Sequence, residues 1–117
     1  MIGLRRGIVR LYDHETEWEL EAQNTISRLR ALLGSVIKDI QHVGSTSIRS
    51  IKAKPIIDIA LAVDDFNEIL AREATLRDHG FYYRPGSQSM IPHQLLFACG
   101  SYYDGSGDLQ THFIHVV

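Results

Sequence analysis

The stretch PIIDIALAV, Pro55 to Val63, constrains this chain more than any other, because it is apolar throughout except for Asp58. It is short, opens on proline and is rich in isoleucine. Length and composition therefore predict a strand, and apolar residues at both parities predict a central one covered on both faces. A lone carboxylate in such a strand costs free energy unless it is paired, hydrogen-bonded or bound to a cation. The sequence offers Lys54, Lys52 or a histidine as a partner. It equally allows Mg²⁺, which favours one or two protein carboxylates completed by phosphate oxygens.

The flanking segments alternate between helical and strand periods, without repeats or low-complexity tracts. Ile8 to Tyr12 reads as a short strand. Trp18, Ala22, Ile26, Leu29 and Leu33 then recur at helical spacing up to Gly34, a C-terminal cap. Residues 36–43 read as a strand entering a turn at Gly44, after which Ser45 or Thr46 can cap a short helix. Asp64 or Asp65 opens a second amphipathic helix carrying Phe66, Ile69, Leu70 and Leu76, with Gly80 at its end. Beyond it, FYYR, LLFAC and THFIHVV read as strands separated by the turns PGSQSMIP and GSYYDGSGD. This order predicts an α/β (α+β) fold: a mixed sheet with helices mainly on one face.

A chain of 117 residues is the size of one domain, so residues 1–117 are expected to form a single unit. Its 44% hydrophobic and 22% charged residues suit a globule, and no apolar run is long enough to span a bilayer. The expectation is a soluble cytoplasmic protein, without a membrane partner. Cys99 cannot pair within the chain and reads as a small buried hydrophobe beside Phe97. With 12 basic against 14 acidic residues the net charge is −2, which argues against generic nucleic-acid binding.

The turn after the strand at residues 36–43 carries Gly44, Ser45, Thr46 and Ser47. A glycine-serine turn leading from a strand into a helix exposes backbone N–H groups that can hold a phosphate, although such a stretch is more often only a capped turn. His42, just before it, can orient the loop or contact a phosphate, and Lys54, before the next strand, can contact a phosphate as a point charge or stand as a solvated lysine or a partner to Asp58. Arg49 and Lys52 are further candidates, with solvated charge as the default for both.

The stretch HVGSTSIRSIKAKPIIDI resembles the signature of the GrpB family, a branch of the nucleotidyltransferase superfamily. Glu17-Trp18, His93 to Phe97 and the closing THFIHVV are similar to it more loosely. The resemblance implies a nucleotidyltransferase-like fold in which Gly44 and Ser45 grip a nucleoside triphosphate. It further implies that Asp58 binds the Mg²⁺ or Mn²⁺ that aligns an unknown acceptor with the α-phosphorus.

The superfamily's metal site usually has two carboxylates two residues apart, and here the second position is Ala60. A third acid normally comes from a later strand, where this chain has His112 and His115. Their odd spacing puts them on opposite faces of a strand, so only one can join Asp58, and His115 is expected to be the nearer. The family often has Pro-Gly where this chain has Arg49-Ser50, and its members continue past the histidine strand into a helical segment absent here. Two functions are compatible with these residues. One is a metal-dependent nucleotidyltransferase with Asp58 as catalytic carboxylate and His115 or His112 as a further ligand. The other, favoured by Ala60, is a non-catalytic module that binds a nucleotide or phosphometabolite; a plain scaffold with Asp58 salt-bridged is a third possibility. Exposed strands near the end could also pair between copies as a homodimer.

Overall fold

The computed structural model describes residues 1–86 and 93–117. In chain order the elements are β1 (Leu4–Arg5), α1 (Thr16–Leu33), β2 (Asp39–Val43), β3 (Ile57–Ala62), α2 (Phe66–Leu70), α3 (Glu73–Asp78), β4 (Tyr82–Tyr83), β5 (Leu95–Cys99), α4 (Ser101–Asp104), β6 (Leu109–Gln110) and β7 (His112–Val116). Single 3-10 turns lie at Gly34–Val36 and Ser45–Ser47. The result is a mixed α+β fold around a five-stranded sheet ordered β2-β3-β7-β5-β4, with β1 and β6 forming a separate two-stranded pair. All neighbours in the main sheet are antiparallel except β3 and β7, which run parallel.

Helix α1 follows the 3.6-residue period, and its buried stripe is Trp18, Ala22, Thr25, Ile26, Leu29 and Leu33. Trp18 is fully buried, with its indole N–H donating to the Met1 carbonyl at 2.9 Å. The stripe packs with Ile57, Ile59 and Leu61 of β3, Phe97 of β5, and Ile114 and Val116 of β7. Ile69 of α2 and Leu76 of α3 complete this core on the same side of the sheet.

The run around Asp58 is an inner strand, but it is covered differently from the expectation. Burial alternates along β3: Ile57, Ile59 and Leu61 are buried, whereas Asp58, Ala60 and Ala62 are half-buried on the other face. The helices α1 to α3 contribute to the core on one face only, so the small alanines made a one-sided strand read as apolar on both sides. Other departures are local. Ile8, Val9 and Leu11 are exposed, and only Tyr12 bridges, to Ala53. The β-branched pattern of Ile8 to Tyr12 is thus not a strand, and the first strand lies earlier, at Leu4–Arg5.

The second helix is split at Ala71–Arg72, where the Arg72 guanidinium donates to the Glu68 carbonyl at 2.7 Å and the Arg72 N–H turns to Ile69 instead. GSYYD, read as a turn, contains α4. It is entered through Gly100, whose φ of 129° and close approach to the Leu109 carbonyl leave no room for a Cβ. The turn read over PGSQSMIP falls, for residues 87–92, outside the described residues. No helix among the described residues is long and apolar enough to cross a membrane.

Candidate functional site

Strand β2 ends at Val43, which is in register with Asp58 on β3, so the chain must turn directly above that carboxylate. Gly44 makes the turn with φ 74° and ψ −172°, a region open in practice only to glycine. A Cβ at this position would lie 2.8 Å from Asp58 Oδ2 and 3.1 Å from Asp58 Cβ. The missing side chain is what lets the turn and the acid meet.

The 3-10 turn Ser45–Ser47 follows, with Gly44 as its N-cap and no side chain capping it, so neither Ser45 nor Thr46 takes the capping role expected. The N–H of Ser47 donates to Gly44 O, as does its hydroxyl, and the N–H of Ile48 donates to Ser45 O. The first N–H groups of the turn, on Ser45 and Thr46, have no acceptor within it. Ser45 is exposed.

Thr46 is not available to a ligand: it is fully buried, and its Oγ1 lies 2.9 Å from His42 Nε2. It anchors the turn from behind. His42 is accordingly turned away from the open face. It has the same parity as buried Ile40 and pairs with buried Ile59, on the helix-covered side. Burial holds the His42 imidazole below its ordinary pKa, against the opposing pull of Asp58 and Glu19. Arg49 extends from the segment after the turn to α1, its Nε 2.7 Å and Nη2 3.0 Å from the two oxygens of Glu19. That fork holds the Glu19 carboxyl below its usual range. Lys54 is exposed and forms no ion pair among the described residues, and Lys52 lies 3.9 Å from Asp13. Neither lysine is the partner of Asp58.

That partner is a histidine. His115 on β7 is in register with Ala60, so it stands beside the position of the missing second carboxylate and reaches back to Asp58. Its Nε2 is 3.0 Å from Asp58 Oδ1, and the side chains are 34% and 27% exposed. An ionised carboxylate only accepts, so the shared proton sits on His115 Nε2 and leaves Nδ1 as the basic atom.

His112 lies on the opposite face, as the odd spacing requires, and cannot join a site at Asp58. It is buried against α1, with Nε2 3.1 Å from Thr25 Oγ1 and 3.2 Å from Glu21 Oε1, and Nδ1 2.7 Å from Thr111 Oγ1. Burial lowers its pKa, with Glu21 opposing. Its cross-strand neighbour is Cys99, a core residue beside Phe97 as expected, whose thiol burial pushes up to about 12.

The structure thus gathers Gly44, Ser45, Asp58 and His115, and sets Thr46, His42 and Glu19 behind them as supports. The Glu19–Arg49 clamp was missed in the sequence because the two residues are thirty positions apart with no motif joining them. The usable signals were the tight spacing of HVGS and the parity of the two terminal histidines.

A glycine turn set against a half-buried carboxylate on the open face of a mixed sheet defines an α+β protein with a one-sided, solvent-facing site. The chain belongs to the GrpB family, whose family model, described as GrpB protein, matches residues 8–117. It is 34% identical, over its whole length, to the glutamate-rich protein GrpB of Alkalihalophilus pseudofirmus, of which it covers 66%. It is 32% identical over 89 residues to the UPF0157 protein YqkA of Bacillus subtilis, an alignment covering 76% of this chain and 24% of that one. The fold is that of the conserved protein GrpB of Enterococcus faecalis, with a TM-score of 0.79 at 20% identity over 92% of this chain and 60% of that one. The chain therefore spans less than two thirds of the length of these relatives.

Proposed function

We propose that this chain binds a nucleoside triphosphate at the Gly44–Ser45 turn and transfers its nucleotidyl group to an acceptor hydroxyl at Asp58 and His115. The observation that carries this reading is the approach of Gly44 to Asp58, which sets a glycine turn directly beside a carboxylate. The Ser45 hydroxyl is exposed to add a hydrogen bond.

The donor set suits a divalent cation only in part. No group of three His, Cys, Asp or Glu side chains among the described residues could hold a metal. Asp58 is the residue that would hold Mg²⁺ or Mn²⁺, with phosphate oxygens and water completing the shell; a nearby imidazole favours Mn²⁺. When bound, the ion supplies neutralisation of phosphate charge.

The remaining chemistry falls to the protein. Asp58 fixes the ring of His115 through Nε2, and Nδ1 accepts the acceptor hydroxyl proton. The bond from that oxygen to the α-phosphorus forms as the bond to the bridging oxygen breaks, and pyrophosphate leaves with the electron pair. A second reading rests on Ala60, which stands where a second carboxylate would: the chain is a binding module for a nucleotide or phosphometabolite and performs no transfer.

A thermal-shift panel of the four nucleoside triphosphates, with and without Mg²⁺ or Mn²⁺, tests both. Saturation at a hundred times Kd adds about 2.7 kcal/mol to the folded state. A metal-dependent rise in Tm that disappears in Asp58→Ala supports transfer and names the donor for turnover assays. A metal-independent rise retained in Asp58→Ala supports the module, and no rise with any nucleotide removes transfer and nucleotide binding alike.

A further inference from the structure

The open face carries a second grouping that the nucleotide reading leaves unused. Across the strands, one row runs from Asp58 through Phe113 and Ala98 to Tyr82, and the next from Ala60 through His115 to Leu96. Arg84 N–H donates to the Leu96 carbonyl at 2.8 Å, continuing the β4–β5 ladder by one residue. Arg84 has the parity of Tyr82, so it shares this face.

Its guanidinium lies 5.0 Å over the ring of Tyr103. Tyr103 is held in turn edge-on to Phe113, with ring centroids 6.5 Å apart, and its hydroxyl accepts from Gln110 Nε2 at 3.2 Å. An aromatic face supports a guanidinium without occupying the N–H groups along its edge. Those donors are not neutralised: Arg84 forms no ion pair with a carboxylate among the described residues, and residues 87–92 include no Asp or Glu. Arg84 is exposed and, like Arg6, Arg10 and Arg28, stacks its guanidinium without an acid partner among the described residues; of these four it is the one that continues the ladder of the main sheet. Two strand spacings separate its position in the sheet from that of His115, about 10 Å.

We propose that Arg84, walled by Tyr103 and Phe113, is the acceptor subsite, and that it takes the carboxylate or phosphate of a small anionic molecule with an apolar body. The body lies along Leu96 and Phe113 and presents its reacting hydroxyl to His115. Calling the ligand an acceptor rests on the transfer reading; the anion site itself does not. The spacing of about 10 Å between the two backbone positions suits a small acceptor.

The test titrates benzoate and phenyl phosphate, followed by ¹H–¹⁵N NMR, into the wild type, Arg84→Gln and Ser45→Ala. The exposed arginine can be replaced without touching the core, and each spectrum confirms folding. Both probes should perturb Phe113, Leu96 and the Arg84 side chain, with affinity falling about tenfold in Arg84→Gln, as for loss of a charge-assisted hydrogen bond. Ser45→Ala should leave that affinity unchanged. Preference for one probe identifies the anion as carboxylate or phosphate. Equal affinity in Arg84→Gln overturns the proposal, as does loss of phenyl phosphate binding in Ser45→Ala alone, which would place the phosphate at the turn. If the probes bind through Arg84 while no nucleotide shifts the Tm, the anion site stands and the transfer reading falls.

Discussion

Replacing Gly44 by alanine examines the contact on which the site depends. The backbone there, at φ 74° and ψ −172°, strains any residue bearing a Cβ by about 1–3 kcal/mol. The new methyl would start 2.8 Å from Asp58 Oδ2. Something must yield by about 0.6 Å for that pair to reach ordinary contact, which begins at 3.4 Å. If the Asp58 side chain swings away, its bond to His115 is lost, and partial exposure limits that loss to about 0.5–1 kcal/mol. Together these give about 1.5–4 kcal/mol, or a Tm lower by about 6–16 °C for a chain of this size. Urea and thermal unfolding of the wild type, Gly44→Ala, Asp58→Ala and the double variant measure it. The double variant should relieve the clash with the carboxylate but keep the backbone strain and the 3.1 Å approach to the Cβ of residue 58, giving a coupling energy of about 0.5–1 kcal/mol. A Tm for Gly44→Ala within about 2 °C of the wild type would refute the argument that the turn is pinned against the acid.

Two further outcomes follow from burial. His112 and His42 both have folded pKa values below 6.5, so protons bind more readily to the unfolded chain. Their contribution to stability is complete above about pH 7 and is lost as pH falls through 6.5 toward the lowered values. Urea midpoints at about pH 8 and pH 5.5 should therefore differ by less in His112→Gln than in the wild type; an unchanged difference would mean that His112 is not the titrating group. Cys99, with its thiol pushed up to about 12, should resist iodoacetamide at pH 8 in the folded protein and react within minutes in urea. Rapid labelling without denaturant would contradict its burial.

Helix α1 was legible from its spacing because a 3.6-residue stripe leaves one reading for Trp18, Ala22, Ile26, Leu29 and Leu33, all of them buried. The parity of β7 was legible for the same kind of reason: three positions along a strand reverse the side chain, and His112 and His115 are indeed on opposite faces. What failed depended on partners far along the chain. Ile8 to Tyr12 has strand-like residues but no neighbour beyond the single bridge from Tyr12, and without a ladder its propensity decides nothing. Covering of β3 on one face, rather than two, follows from where the helices pack, which Ala60 and Ala62 do not reveal. The Glu19–Arg49 clamp and the stacking of Arg84 on Tyr103 are likewise meetings of remote residues without a local signal.

The parallel pairing of β3 with β7 also fixes when, during folding, the site comes into being. Asp58 and His115 are 57 residues apart in the chain, and three helices and three strands are threaded between them. Closing so long a loop gains nothing until the strands at its ends align, so the pair belongs to the slow, non-local part of the folding reaction. The Gly44 turn, by contrast, faces Asp58 across the antiparallel β2–β3 pair, only 14 or so residues along the chain, and can form sooner. A folding chain therefore shapes its Gly44 turn before its carboxylate finds the histidine, and recovery of any function that needs both should lag behind the recovery of helical signal on dilution from urea.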